Sequence, residues 1–414
     1  MRVDQDHRNE MLLDCLRPEP EGVDAARLKR ISTADWDQIV QQSAMQKVAP
    51  LLYHRLRARG LDQAVPPDVL QGLEALYHLN AVQNVQLYHD LGQVLSWLRQ
   101  DGIPAIVLKG AFLAEIVYGN IALRPMVDMD LMVPASQVSQ VVERLSAAGY
   151  RPVRPFSLEA ELAVDKGLPK FARPNAPAIE VHWTITRPTR PYCISMDGLW
   201  ERACPVAFAS VMALGLCPED LLLHLGLHTT YQHSFMMGLR PLCDIAETLR
   251  HFRDDLDWDV VQRRASQWGW DGGVYLALRL ARDLVGAAVP AGVLQSLQPE
   301  GFDERILVDA RDQLFADRQV AGSPSPDFAR MWGSQGLGDK ARTLLKSLFP
   351  PARIMSAMYP PPPDSPRLYL YYGVRFKDLL VRYLGVLWRL VRGDEEVVSL
   401  IERRNALREW LELN

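Results

Sequence analysis

Apolar residues recur three and four positions apart through the first hundred residues of the chain. The segments IVQQSAMQKVAPLLYHRLRARG (39–60) and LEALYHLNAVQNVQLYHDLGQVLSWLRQ (73–100) both show this spacing, which is typical of amphipathic helices. Gly60 follows the first segment and Asp101–Gly102 follows the second, and both are helix stop signals. We therefore predict an N-terminal helical region over residues 1–100.

The pattern of apolar residues changes at residue 103. IPAIVLKG (103–110) is a short apolar run that ends in glycine, so it predicts a buried strand that enters a tight turn. LRPMVDMDLMVP (123–134) and AIEVHWTI (178–185) alternate apolar and polar residues with a period of two, which indicates two further strands. Residues 101–214 are therefore predicted to form a core with a small mixed β-sheet.

Helical spacing returns after this core. PEDLLLHLGLHTTYQH (218–233) and PLCDIAETLRHF (241–252) each begin with proline, which is favoured in the first turn of a helix. These segments predict a helical domain over residues 215–316. The whole chain is thus predicted to be an α+β protein, with a small mixed sheet flanked by N-terminal and C-terminal helical regions.

The last hundred residues differ in composition. Residues 317–366 are rich in Gly, Ser and Pro and contain Tyr359 followed by four prolines, so we predict a linker or an extended arm. Residues 367–414 are predicted to be a helical tail. Its first part, RLYLYYGVRFKDLLVRYLGVLWRLVRG (367–393), is apolar, aromatic and basic. That composition fits either a helix docked on the core or a helix that lies on a membrane surface.

Composition and charge narrow the class of protein. The chain has 46 basic and 50 acidic residues and a formal net charge of −4, so no overall basic field favours a long nucleic acid as partner. We predict no membrane span, because every long apolar stretch is interrupted by charges, and no signal peptide at the N-terminus. The five cysteines are odd in number and lack CxxC spacing, which favours a reducing, cytoplasmic location.

Three carboxylates on the predicted strands carry the chemistry. Asp128 and Asp130 are two residues apart, so both side chains leave the same face of one strand, and Glu180 lies on a second strand. Adjacent carboxylates repel unless a cation neutralises them, and oxygen ligands suit Mg²⁺ or Mn²⁺. Such a set can hold two metals roughly 3.5–4 Å apart, the geometry for in-line displacement at phosphorus. Glu180 is also a candidate general base.

Phosphate-binding groups flank these carboxylates in sequence. The predicted turn at Lys109 and Gly110 offers backbone N–H groups and a helix N-terminus to a phosphate. Arg124 lies four residues before Asp128 and can bind phosphate through two parallel hydrogen bonds. His182 shares a strand face with Glu180, so it either orients a carboxylate, takes part in proton transfer or has only a structural role.

Two further pairs are ambiguous from sequence alone. His224 and His228 are four residues apart on one helix face, which fits helix packing, a role beside the carboxylates or a zinc site, although the glutamate of an HExxH motif is absent. Arg240 and Asp244 are also four apart, so they either form a structural ion pair or contact the substrate.

LKGAFLAEIVYGNIALRPMVDMDLMV followed by IEVHW resembles the uncharacterised bacterial nucleotidyltransferase family of the polymerase-β-like superfamily. The resemblance covers roughly residues 40–290 and is specific over residues 105–185. It implies that three acids are metal ligands, namely Asp128, Asp130 and Glu180. It also implies that Lys109 and Gly110 form the nucleotide loop and that Arg124 faces phosphate. Lys109-Gly110-Ala111 departs from the Gly-Gly or Gly-Ser turn of the wider superfamily, so no serine follows Gly110 to grip phosphate.

The leading hypothesis is a metal-dependent nucleotidyltransferase. It would move an NMP group from an NTP to a small-molecule, peptide or protein acceptor and release pyrophosphate. The resemblance also implies a setting among biosynthetic genes, including those for modified peptides. Two alternatives remain open, a non-catalytic interaction module that keeps the fold and a metal-dependent phosphohydrolase that uses the histidines with Asp244.

Overall fold

The computed structural model describes residues 2–18, 23–188, 192–316, 345, 348–359, 365–392 and 394–413. The predicted linker or arm of residues 317–366 lies largely outside the described residues. Within them the chain is an α+β protein with one mixed sheet and flanking helices. The spacing of apolar residues along the sequence predicted this fold class.

The described α-helices are numbered here in chain order. They are α1 (Arg2–Leu16), α2 (Ala25–Leu28), α3 (Thr33–Met45), α4 (Ala49–Ala58), α5 (Pro67–Gln100), α6 (Lys109–Phe112), α7 (Val138–Ala147), α8 (Leu158–Val164), α9 (Met196–Glu201), α10 (Pro218–Leu227), α11 (Arg240–His251), α12 (Trp258–Trp268), α13 (Asp271–Val285), α14 (Ala291–Leu297), α15 (Arg305–Phe315), α16 (Ala352–Met358), α17 (Leu368–Val391) and α18 (Glu395–Leu413). Helices α6 and α10 continue into π-helical turns at Leu113–Val117 and His228–Gln232.

Seven strands form one sheet in the described part of the chain. They are β1 (Ile106–Val107), β2 (Asp128–Met132), β3 (Arg151–Pro152), β4 (Phe171–Ala172), β5 (Ala178–His182), β6 (Cys204–Phe208) and β7 (Val211–Gly215). Their spatial order is β3-β4-β5-β2-β1-β7-β6. The pairs β2–β5 and β1–β7 are parallel, and the other neighbours are antiparallel.

The three strands predicted from sequence correspond to β1, β2 and β5. Strand β1 is shorter than its apolar run, because the backbone turns into α6 at Lys109, which has a positive φ of 40°. Four strands were not predicted. Two of them, β3 and β4, are only two residues long, too short for an alternation to be visible.

The first segment with helical spacing forms two helices. Residues 39–60 belong to α3 and α4, and the chain turns between them at Lys47, whose φ is +57°. Pro50 then lies in the first turn of α4, where its missing N–H would have no helical partner in any case. Both helices show the spacing of three and four residues that predicted helical structure in this segment.

A continuous hydrophobic core joins the sheet to helices on both sides. Its fully buried side chains include Trp36 of α3, Phe171 of β4 and Tyr275 of α13. The strands of the sheet lie between residues 106 and 215. The predicted mixed-sheet core, residues 101–214, includes all of these residues except the last. The division of the chain into five regions stays a prediction.

The C-terminal tail is helical, as its composition suggested. Leu368 at the start of α17 is buried, and α17 contacts α16 and α18, while α18 packs on α15. No helix among the described residues is both long and apolar enough to span a bilayer. All five cysteines are free thiols.

Candidate functional site

Acidic side chains come together on one face of strands β2 and β5. The parallel register pairs Asp130 with Glu180, so the two carboxylates are direct neighbours across the strands. The intervening residues Met129 and Ile179 point to the opposite face and are completely buried. Burial of these apolar residues fixes the register, because a shift by one residue would place the carboxylates in the core.

His182 completes a cluster with these two acids. Its Nε2 lies 2.9 Å from Asp130 Oδ1 and 3.5 Å from Glu180 Oε2. Asp130, Glu180 and His182 each offer one ligand atom within 4.8 Å of the others, and they form the only such group of three within the residues that the structure describes. Trp183, the next residue, is buried, as its position on the opposite strand face predicted.

Asp128 joins the cluster through a lysine. Lys170 Nζ forms an ion pair with Asp128 and lies 2.7 Å from Glu180 Oε1. Lys109 Nζ lies 3.7 Å from Asp130 Oδ1. Two ammonium groups thus balance only part of the charge of the three predicted carboxylates, and hard oxygen donors of this kind are the ligands that Mg²⁺ or Mn²⁺ requires. The donor set therefore fits a divalent cation.

The two central acids are held in the ionised form. A hydrogen bond from His182 lowers the pKa of Glu180 to about 2, despite the opposing effects of burial and of Asp130. Burial alone would raise the pKa of Asp130, but the charge of Lys109 and the hydrogen bond from His182 outweigh it and hold that pKa well below its usual range. The site therefore presents adjacent carboxylates rather than carboxylic acids at neutral pH.

The turn at Lys109 and Gly110 lies directly beside this cluster. The backbone N–H of Leu108 donates to the carbonyl of Asp130 at 2.9 Å, which fixes the end of β1 against β2. Gly110 is buried, and a Cβ there would lie 3.2 Å from both Arg124 NH1 and Met126 Sδ. The missing side chain lets the turn pack closely on the segment that precedes β2.

Arg124 forms a buried ion pair with Asp244. Its guanidinium binds Asp244 through two hydrogen bonds of 2.8 Å, and Tyr118 Oη donates to the same carboxylate at 3.0 Å. Both members of the ion pair are buried. Nε and NH2 of Arg124 are thus engaged by Asp244, while NH1 lies beside Gly110, so the phosphate-facing role of Arg124 stays a prediction.

Of the two alternatives for Arg240 and Asp244, the ion pair is not formed among the described residues. Asp244 is bound by Arg124, and Arg240 NH1 donates instead to the carbonyl of Pro125 at 2.9 Å. Arg240 Nε is buried with no hydrogen-bond partner in the part of the chain that the structure describes. Burial, reinforced by the charge of Arg124, lowers the pKa of Arg240 to about 10. Arg240 therefore keeps unused hydrogen-bonding capacity.

Three neutral histidines follow on α10 and the segment after it. Burial and the nearby charge of Lys109 hold the pKa values of His224 and His228 well below the usual value, and lower the pKa of His233 to about 4. The Nδ1 atom of His224 is buried without a hydrogen-bond partner among the described residues. No zinc-type cluster contains these histidines in the described residues, so that sequence hypothesis gains no support.

The loop before β4 supplies two lysines that the sequence did not single out. Lys170 bridges two of the acids, and Lys166 donates to Gln232 Oε1 at 2.8 Å. Burial and the charge of Lys109 lower the pKa of Lys166 to about 8. Their signal in the sequence is the run DKGLPKF (165–171), which leads into β4, but this two-residue strand gave no alternation that would orient the lysines.

Comparison with known protein families gives a match. The family model described as uncharacterised nucleotidyltransferase matches residues 32–286, which is more than half of the chain. The matched range includes β2, β5 and the loops that carry the lysines. No curated protein and no solved structure matches the chain. The resemblance drawn from the motifs over residues 105–185 is thus confirmed at the level of the nucleotidyltransferase family.

Proposed function

Because the chain belongs to the uncharacterised nucleotidyltransferase family, we propose that it is a metal-dependent enzyme that moves an NMP group from an NTP to an acceptor and releases pyrophosphate. The observation that carries this proposal is the β2–β5 register, which sets Asp130 beside Glu180, with His182 Nε2 2.9 Å from Asp130 Oδ1 and 3.5 Å from Glu180 Oε2. Strand positions define this cluster, so it is preorganised rather than dependent on a loop.

A divalent cation would be held by Asp128, Asp130 and Glu180, with His182 as a further candidate ligand or as the group that orients Asp130. Such a cation, Mg²⁺ or Mn²⁺, supplies charge neutralisation at the reacting phosphate when it is bound. Lys170 lies between Asp128 and Glu180 and supports this assignment, because a cationic group already balances the carboxylates there.

Cationic side chains around the acids suit a triphosphate. Burial and the charge of Lys109 lower the pKa of Lys166. Both ammonium groups interact electrostatically with Asp130. Arg240 Nε has no hydrogen-bond partner among the described residues, and the negative charge of Asp128 interacts electrostatically with the guanidinium. We propose that Lys109, Lys166 and Arg240 bind the phosphate oxygens, and that Gly110 lets the turn approach them.

The acceptor is proposed to be a small molecule, a peptide or a protein side chain. Glu180 is the candidate base for its attacking group, because its carboxylate lies beside Asp130 on the strand face that carries the acids. His224 is a second candidate, since its neutral ring keeps an unused Nδ1. A long nucleic acid is not expected, because the chain has a net charge of −4.

The test is a label-transfer assay with the purified 414-residue chain. Each α-labelled NTP is incubated with Mg²⁺ or Mn²⁺ and a cell lysate as the acceptor pool, alongside the Asp128→Ala/Asp130→Ala variant. We expect label transfer and pyrophosphate release by the wild type and neither by the variant. Orthophosphate release without label transfer would favour the phosphohydrolase alternative. If no NTP binds and wild type equals variant, the interaction module becomes the better account.

A further inference from the structure

Helix α17 exposes an unusually apolar surface. Among the side chains of this helix that the structure describes, six large hydrophobic ones are solvent-exposed, including Tyr369 at 78% and Trp388 at 57%. Together they define what we call the tail face, which consists of Tyr369, Leu370, Val374, Phe376, Val381 and Trp388. At about 100° per residue these positions fall within an arc of about 160°. The tail face is therefore one side of the helix rather than a scatter of exposed residues.

The opposite side of α17 is anchored to the rest of the tail. Leu368 is buried, Tyr372 Oη donates to the carbonyl of Pro350 at 2.7 Å, and the helix contacts α16 and α18. Helix α18 in turn packs on α15, where Arg404 Nε donates to Gln313 Oε1 at 3.0 Å. The tail face is thus presented by a helix whose other side is already in use.

Basic residues accompany the apolar ones. Residues 367–392 contain six basic residues and one acidic residue, a net charge of +5 in a chain whose total is −4. Lys377 and Arg392 are exposed and fall within the same arc as the tail face. The guanidinium of Arg392 lies 3.4 Å from the centre of the Trp388 ring. An aromatic ring and a cation side by side match the boundary between acyl chains and headgroups.

We propose that the tail face binds the surface of an anionic lipid bilayer, with α17 lying in the interface plane. A helix of 24 residues is about 36 Å long and would bury its apolar side chains among the headgroups, while Lys377 and Arg392 contact lipid phosphates. A second copy of the tail face is a poorer occupant, because two surfaces of the same positive charge would repel. The helix lies on the bilayer and does not span it.

The experiment measures binding of the whole chain to vesicles by co-sedimentation. Vesicles of phosphatidylcholine alone are compared with vesicles that contain phosphatidylglycerol, at low and high salt. We expect binding to the anionic vesicles only, and loss of binding at high salt. Phe376→Ser/Trp388→Ser tests the apolar part and Lys377→Glu/Arg392→Glu tests the charged part. Each variant should weaken partitioning by at least about tenfold.

Matched controls are available elsewhere on the surface. Val82 and Val85 are exposed on α5, and Arg99 and Arg263 are exposed on α5 and α12. Val82→Ser/Val85→Ser and Arg99→Glu/Arg263→Glu should bind anionic vesicles like the wild type, and circular dichroism checks that all variants are folded. The proposal is overturned if the wild type does not bind anionic vesicles or if the control variants lose binding as much as the tail-face variants. It is also overturned if the tail-face variants dissociate a dimer and still bind the vesicles.

Discussion

At the residue scale, two kinds of ion pair occur in and around the site. Lys170 bridges Asp128 and Glu180, while Lys109 approaches Asp130, so each acid has a cationic neighbour. The pair of Arg124 and Asp244 is of another kind, since both groups are buried and fully engaged with each other. Buried pairs of this geometry are costly to break, because one charge would be left unpaired. The first group is exchangeable and suits ligand binding, whereas the second supports the fold.

Replacing Lys170 tests that distinction. Lys170→Met removes the ammonium group that competes with a divalent cation for Asp128 and Glu180. We expect the dissociation constant for Mn²⁺, measured by titration calorimetry without nucleotide, to fall by about tenfold. Lys29 is exposed on the far end of α2, and Lys29→Met should leave Mn²⁺ binding unchanged. Weaker Mn²⁺ binding by Lys170→Met would show that the lysine is not a competitor at a cation site.

At the element scale, the loop that precedes β4 packs closely against the strand that carries the site. Gly167 pairs with His182 in an isolated antiparallel bridge, and Leu168 N–H donates to the carbonyl of Val181 at 2.8 Å. A Cβ at Gly167 would lie 2.7 Å from both His182 Nδ1 and the Val181 carbonyl oxygen. The loop therefore lies directly against the strand that carries Glu180 and His182, and only glycine permits this approach.

Two glycine substitutions should therefore have opposite effects on stability. Gly167→Ala must push the loop from β5, and we expect it to lower the free energy of unfolding by about 1–3 kcal/mol. Gly72 is exposed within α5, and no atom lies within 4 Å of an added Cβ. Gly72→Ala should therefore raise the free energy of unfolding by about 0.5–1 kcal/mol. Urea unfolding of both variants measures this, and equal changes would contradict the proposed close contact.

The elements that sequence predicted best are those with a clear period and a buried side. Alternation in β2 and β5 placed Asp128, Asp130, Glu180 and His182 on one face, because Met129 and Ile179 must be buried. Local patterns could not show that Arg124 pairs with Asp244, since that contact joins residues 120 positions apart. Lys170 was invisible for a related reason, because its loop owes its position to β5 rather than to its own sequence.

At the scale of the whole molecule, buried neutral histidines link folding to pH. The pKa of His233 in the folded chain is about 4, because it is buried near Lys109, whereas the reference value is 6.5. Between these values the unfolded chain binds a proton that the folded chain does not. Stability is therefore complete above pH 6.5 and is lost as the pH falls toward 4. His224 and His228, whose pKa values are also lowered by burial, act in the same direction.

We expect the free energy of unfolding to decrease as the pH falls from 6.5 to 5. The His233→Gln variant cannot take up this proton in the unfolded state. Its free energy of unfolding should therefore change less steeply with pH, by up to about 1.4 kcal/mol per pH unit. Urea unfolding at several pH values gives both slopes, and substitution of the exposed His89 serves as the control. Identical slopes for wild type and His233→Gln would mean that His233 is protonated in the folded chain.

The central claim is that Asp130 acts in nucleotidyl transfer, and pyrophosphate release tests it most directly. With the NTP and acceptor fraction that support label transfer, kcat/KM for pyrophosphate release is compared among wild type, Asp130→Asn and Asp37→Asn, an exposed acid of α3. We predict that Asp130→Asn lowers kcat/KM by at least about a thousandfold and that Asp37→Asn leaves it unchanged. Undiminished pyrophosphate release by a folded Asp130→Asn variant would contradict the account.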